Sequence, residues 1–381
     1  MRKKYGFLKI ILLVVFFCFI FTTFTCSAEE ENIYNFDIDS LIETLPNEVI
    51  DLLPEGIDEL SQSPEKIVKL FGSEYILDLS AGLFKSALSS SIKTFAFVAA
   101  VILISTMLSS VGNAFLPSGT GIQVWSLAGS LCIGCCAYSM IWSHVESVIA
   151  FSENISSFMK SLALAISGVY LSGGEVGSAG THSAWIFSAV AVTEEMCGKI
   201  LLPVMQISFS ATLASSTLSG VNISRLVQMI RNAFTSILVF FMTVISVILA
   251  FQTIIAHSSD TLAMRSVRYA ISHSVPIIGG LVSDSARTLS TSFSLMKNSI
   301  GFIGIGVIIL LSLYPLVGLI ASKYSLQLAS SFSSMICEDK STLFLDESVK
   351  MINFLIAIVI LLDVAFIFCM SVFALLPASG A

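Results

Sequence analysis

Long uncharged runs alternate with short polar breaks along this chain, and the runs have the length of membrane spans. From Thr94 to Ser143 the only ionisable groups are Tyr138 and cysteine thiols. A turn at Leu116-Pro117-Ser118-Gly119 divides that stretch into two predicted spans. Residues 232–256 and 298–322 each hold 25 uncharged residues. That is about 37 Å of helix, against a hydrocarbon core of about 30 Å. A last span is predicted over 353–376. Residues 155–172 are apolar, carry Lys160 and stop at Gly173-Gly174. Residues 183–220 are interrupted by Glu194-Glu195, Lys199 and Pro203, so they read as two spans or as one broken helix. The expected total is seven or eight.

The N-terminus has a different pattern. Basic residues up to Lys4 precede an apolar stretch from Ile10 to Phe24, and Cys26 and Ala28 stand at −3 and −1 of a cut before Glu29. That is a secretory signal over 1–28, with an uncleaved anchor as the alternative. Residues 29–92 read as a small acidic, extracytoplasmic helical segment. Their apolar positions Leu41, Leu45, Val49, Leu52 and Leu53 recur at helical spacing, and Ser63-Pro64-Glu65 suits a helix start. Residues 93–381 form the polytopic transmembrane domain. The fold class is all-α, a bundle of membrane-spanning helices.

Composition supports lipid as the main solvent. Hydrophobic residues make up 55% of the chain and charged residues 12%, with a mean hydropathy of +0.91. That is too little charge to cover a soluble protein of 381 residues. The net charge of −7 is concentrated in the acidic segment, and there is no basic surface for nucleic acid. The cysteines fall mostly in apolar stretches, so a disulfide framework is not expected. Cys132-Ile133-Gly134-Cys135-Cys136 lacks a nearby His or carboxylate and reads as helix packing rather than a metal site. Walker, H-E-x-x-H and G-x-S-x-G patterns do not occur. No catalytic, cofactor or metal residues are expected, and the chain reads as non-enzymatic.

The charges inside the apolar region are the chemistry to explain. The segment 257–297 is too apolar for a solvated loop and too charged for an ordinary span, and Pro276 with Gly279-Gly280 would break a helix there. It contains Asp260, Arg265, Arg268, Asp284 and Lys297. Two readings stand: a discontinuous or re-entrant element lining a pathway, or an amphipathic helix at the interface. Asp363 falls near the middle of the last span and should face the bundle interior. It could be a proton or cation site; a neutral or paired residue locking helices together is the preferred reading. Lys199 is four residues after Glu195, so a structural ion pair explains that group.

Several strings, in order and spacing, resemble the stage III sporulation protein AE family. They are S-G-G-E-V-G-S-A (172–179), D-T-L-A-M-R-S-V-R-Y (260–269), V-P-I-I-G-G-L-V-S-D-S (275–285), L-M-K-N-S-I-G-F-I-G (295–304) and Y-P-L-V-G (314–318), with the Leu202-Pro203 break. The chain departs from the family pattern in lacking a Pro between Phe158 and Leu171 and in carrying Gly318 where the family tends to have Lys. The resemblance implies a multi-pass component of the channel complex that joins mother cell and forespore, in the mother-cell membrane around the forespore. It implies partners among the other stage III sporulation A-operon proteins, with a forespore-side membrane partner; a homo-oligomer is compatible with it. Carried over by position, it singles out Asp260, Pro276, Gly279, Asp284, Lys297, Asn298, Gly301, Gly304 and Pro315. An autonomous secondary transporter using in-membrane carboxylates is the alternative.

Overall fold

The computed structural model describes residue 50 and residues 73–115, 120–217, 224–274, 279–336 and 339–375. The signal at 1–28 and the helix start at Ser63 lie outside those residues. The elements are α1 (Ser73–Phe115), α2 (Thr120–Ser172), α3 (Val176–Thr193), a π-helical turn (Glu194–Ile200), α4 (Leu201–Thr217), α5 (Ser224–Ser274), α6 (Gly279–Ile336) and α7 (Asp339–Leu375). α1 begins inside the segment 29–92. With α3, the turn and α4 joined end to end, six helices among the described residues are long and apolar enough to cross a membrane.

Two features bring the candidate spans among the described residues to six. The predicted spans around 120–143 and 155–172 are one helix, α2, of 53 residues or about 80 Å. Its charges Glu146, Glu153 and Lys160 recur every seventh residue, so they share one face. Val145, Val148, Ile155, Phe158, Met159 and Leu162 are buried in the bundle. Residues 183–217 are likewise continuous. Its polar interruption is absorbed by the π-helical turn, which ends just before Pro203, a residue that cannot donate to the preceding turn.

Residues 257–274 continue α5 and residues 279–297 open α6. Gly279 and Gly280 are the first residues of α6, and residues 275–278, with Pro276, lie outside the described set.

α6 and α7 form the most extensively packed pair, and α7 also touches α2, α3, α4 and α5. α1 rests on α6 and α2, and α5 rests mainly on α3 and α7. α6 and α7 run antiparallel, since Gly301 meets Ala374 near one end while Ser330 bonds Asp346 near the other. The outward residues Ile237, Phe240, Phe241, Val244, Val247 and Phe251 give α5 an apolar face of the kind lipid requires.

Candidate functional site: two buried ion clusters and an acid between them

The turn between α2 and α3 is built by Gly174, whose φ of 77° is a left-handed conformation that suits glycine. It lets Glu175 N–H donate to Tyr170 O (2.8 Å) and Gly174 N–H donate to Leu171 O (3.0 Å). This closes the carbonyl end of α2. Glu175 then stands at the N-cap of α3, yet its side chain makes no capping bond. Asp260 of α5 takes that role from outside. Its carboxylate accepts the N–H of Ser178 (2.8 Å), the N–H of Gly177 (3.2 Å) and the Ser178 hydroxyl (2.8 Å). An acid beside free N–H groups at a positive helix end is favourable.

The Glu175 carboxylate turns inward instead. Lys297 Nζ of α6 donates to Glu175 Oε2 at 2.7 Å, and each residue is 1% exposed. His257 Nδ1 lies 4.0 Å from the same oxygen. The Lys297 ammonium also sits 4.3 Å from the centroid of the Tyr170 ring, a cation–π contact. Tyr170, His182 and Phe373 pack against one another with centroids 5.4–5.9 Å apart. Five helices thus meet around one buried ion pair, which at this depth holds only if both partners are present.

A second cluster lies near the start of α7. Glu347 accepts from Arg231 (3.1 Å), Ser224 Oγ (2.5 Å) and Lys350 Nζ (2.5 Å). Arg231 and Glu347 are buried. Between the two clusters, Asp363 is buried in α7, and its Oδ1 makes no hydrogen bond among the described residues. Ser312 of α6 is its polar neighbour.

The residues singled out in the sequence separate into groups. Asp260 and Lys297 converge on the α2–α3 turn. Gly301 and Gly304 line the α6–α7 seam: a Cβ on Gly301 would lie 2.6 Å from Ala374 Cβ, and one on Gly304 would lie 2.7 Å from Met370 Cε. Asn298 is half-buried beside Lys297 and Arg265 is exposed. The side chains of Arg268, Asp284 and Pro276 lie outside the described set. Pro315 stays within α6 and borders a cavity of about 600 Å³ shared with α1 and α2. There His144 Nε2 and Ser322 Oγ are 2.7 Å apart. Glu175, Tyr170, His182, His257 and the Arg231–Glu347 pair were not anticipated. Glu175 had one visible signal, an acid directly after the Gly-Gly that ends an apolar run. No group of His, Cys, Asp and Glu among the described residues is placed to hold a metal.

The profile of one protein family, described as stage III sporulation protein AE (spore_III_AE), matches residues 67–376. The chain belongs to that family. The matched range contains both ion clusters and Asp363, so the charges described here lie within the family's own domain. A curated relative, stage III sporulation protein AE of Bacillus subtilis (strain 168), is 20% identical over 259 residues. That alignment covers 68% of this chain and 64% of the relative, so the chain spans less than two thirds of that protein's length. No solved structure matches the chain.

Proposed function

We propose that this chain is a non-enzymatic, multi-pass component of the channel complex between mother cell and forespore, lying in the mother-cell membrane around the forespore. Family membership supports the sporulation setting. The structural observation that carries the reading is the enclosure of charge. Glu175–Lys297 and Arg231–Glu347 tie helix ends together at opposite ends of the bundle, making a rigid platform on which further subunits can assemble. On this reading the partners are the other A-operon proteins and a forespore-side membrane protein, and the segment 29–92 lies outside the cytoplasm. The test is to purify the tagged full chain from sporulating cells in mild detergent. Co-elution of the sister A-operon membrane proteins is expected, and recovery of the chain alone would overturn the proposal.

The transporter alternative assigns solute coupling to Asp260, Asp284 and Asp363. Asp260 already accepts three hydrogen bonds from α3, which favours an anchoring role for it. Solute uptake by the purified chain in liposomes would revive that alternative.

A further inference from the structure

The two ion clusters set a depth scale. On α5, the 25 uncharged residues 232–256 separate Arg231 of one cluster from His257 of the other, about 37 Å of helix. That matches a hydrocarbon core with part of its interfaces. Tyr170 of α2 and His182 of α3 touch at the Glu175 end, which places both helices on the same scale. Lys160 lies ten residues before Tyr170, and Glu194 twelve residues after His182. These are rises of about 15 and 18 Å, close to mid-depth.

Lys160 Nζ and Glu194 Oε1 are 2.6 Å apart, and their side chains are 45% and 46% exposed. Glu195 and Lys199 form a second exposed pair at 2.6 Å. Glu153 is exposed on the Lys160 face of α2 and joins no ion pair among the described residues, whereas Glu146, about 36 Å of helix from Tyr170, lies level with the Arg231 cluster. The π-helical turn, a feature frequent at functional positions, holds Glu194, Glu195 and Lys199. Charges exposed to lipid at this depth cost several kcal/mol or more. α5 has no charge over 232–256 and meets the lipid requirement; the α2–α3 face does not.

We infer that the face carrying Glu153, Lys160, Glu194, Glu195 and Lys199 contacts water inside the membrane, as the wall of a water-filled lumen. In giving the lumen a conducting role, the inference rests on the channel reading above.

The test uses the full chain with its native cysteines replaced, in sealed vesicles, and a charged, membrane-impermeant thiosulfonate. Single substitutions Glu153→Cys, Ser157→Cys and Gly198→Cys sample the face, and Gly198 has open space beside it. Phe240→Cys and Val244→Cys sample the apolar face of α5. Thiosulfonates react with the hydrated thiolate, so the first three should react about tenfold faster or more. Equal rates would overturn the inference. In the unsubstituted chain, a water-soluble carbodiimide should modify Glu153, which keeps the question answerable if a cysteine variant misfolds; protection of Glu153 would count against the inference. Cation flux through vesicles holding the assembled complex separates the two claims. Labelling without flux supports the hydrated face and removes the channel reading. Flux without labelling keeps the channel reading and overturns this inference.

Discussion

Lys297 and Glu175 are 122 residues apart in the chain and 2.7 Å apart in the fold, each 1% exposed. A buried pair contributes little net stability compared with a well-packed apolar pair, but removing one partner strands a charge. Lys297→Met or Glu175→Gln alone should therefore destabilise the bundle by about 3–5 kcal/mol, and the double variant should recover much of that loss. Thermal unfolding in detergent, read as a double-mutant cycle, checks this. Additive losses would show that the pair is not coupled.

Asp260 caps α3 from a neighbouring helix, through two backbone N–H groups and the Ser178 hydroxyl. Asp260→Ala should cost about 1–2 kcal/mol, in the range of lost helix caps. Asp260→Asn keeps an accepting oxygen and should lose less. Hydrogen exchange at the Gly177 and Ser178 amides is the discriminating readout: protection should fall in Asp260→Ala and persist in part in Asp260→Asn. Unchanged protection in Asp260→Ala would show that the cap is dispensable.

The apolar cores of α5, α6 and α7 were legible in the sequence because lipid excludes charge residue by residue, so 232–256, 298–322 and 353–376 stand out as uncharged runs. α2 was not, because Glu146, Glu153 and Lys160 interrupt its run. Only their heptad spacing, with buried Val148 and Ile155 between, shows that the helix continues. The same holds at 194–200, where a local π-helical turn carries three charges without ending the helix.

The candidate site was legible only in part. Asp260 and Lys297 drew notice as charges in apolar surroundings, but their partners are set by which helices pack together. Glu175 lies 122 residues from Lys297, and no local spacing rule connects them.

The α6–α7 seam gives a graded prediction for glycine. A methyl on Gly301 would meet Ala374, a short side chain with no room to rotate away, whereas one on Gly304 would meet the flexible end of Met370 and Leu162 Cδ2 at 3.0 Å. Gly301→Ala should cost about 1–3 kcal/mol by overpacking, and Gly304→Ala less. Gly198→Ala, with nothing within 4 Å of the new methyl, should be neutral or stabilising by up to about 1 kcal/mol. Thermal unfolding of the three variants should rank them in that order. A Gly198→Ala loss equal to that of Gly301→Ala would remove close packing as the cause.

Asp363 tests whether a buried acid in this bundle serves stability. Its Oδ1 has no hydrogen-bond partner among the described residues, and Ser312, a polar neighbour on α6, donates to its own helix at Ile309 O (3.0 Å). Asp363→Leu, close in branching and apolar, should therefore leave thermal stability unchanged or raise it by about 1–3 kcal/mol, the usual cost of an unsatisfied buried polar group. If the variant melts lower than the parent, the carboxyl is holding the two helices together. If it melts as high or higher, packing does not account for the acid, and spore formation by the variant strain measures whether the assembly needs it.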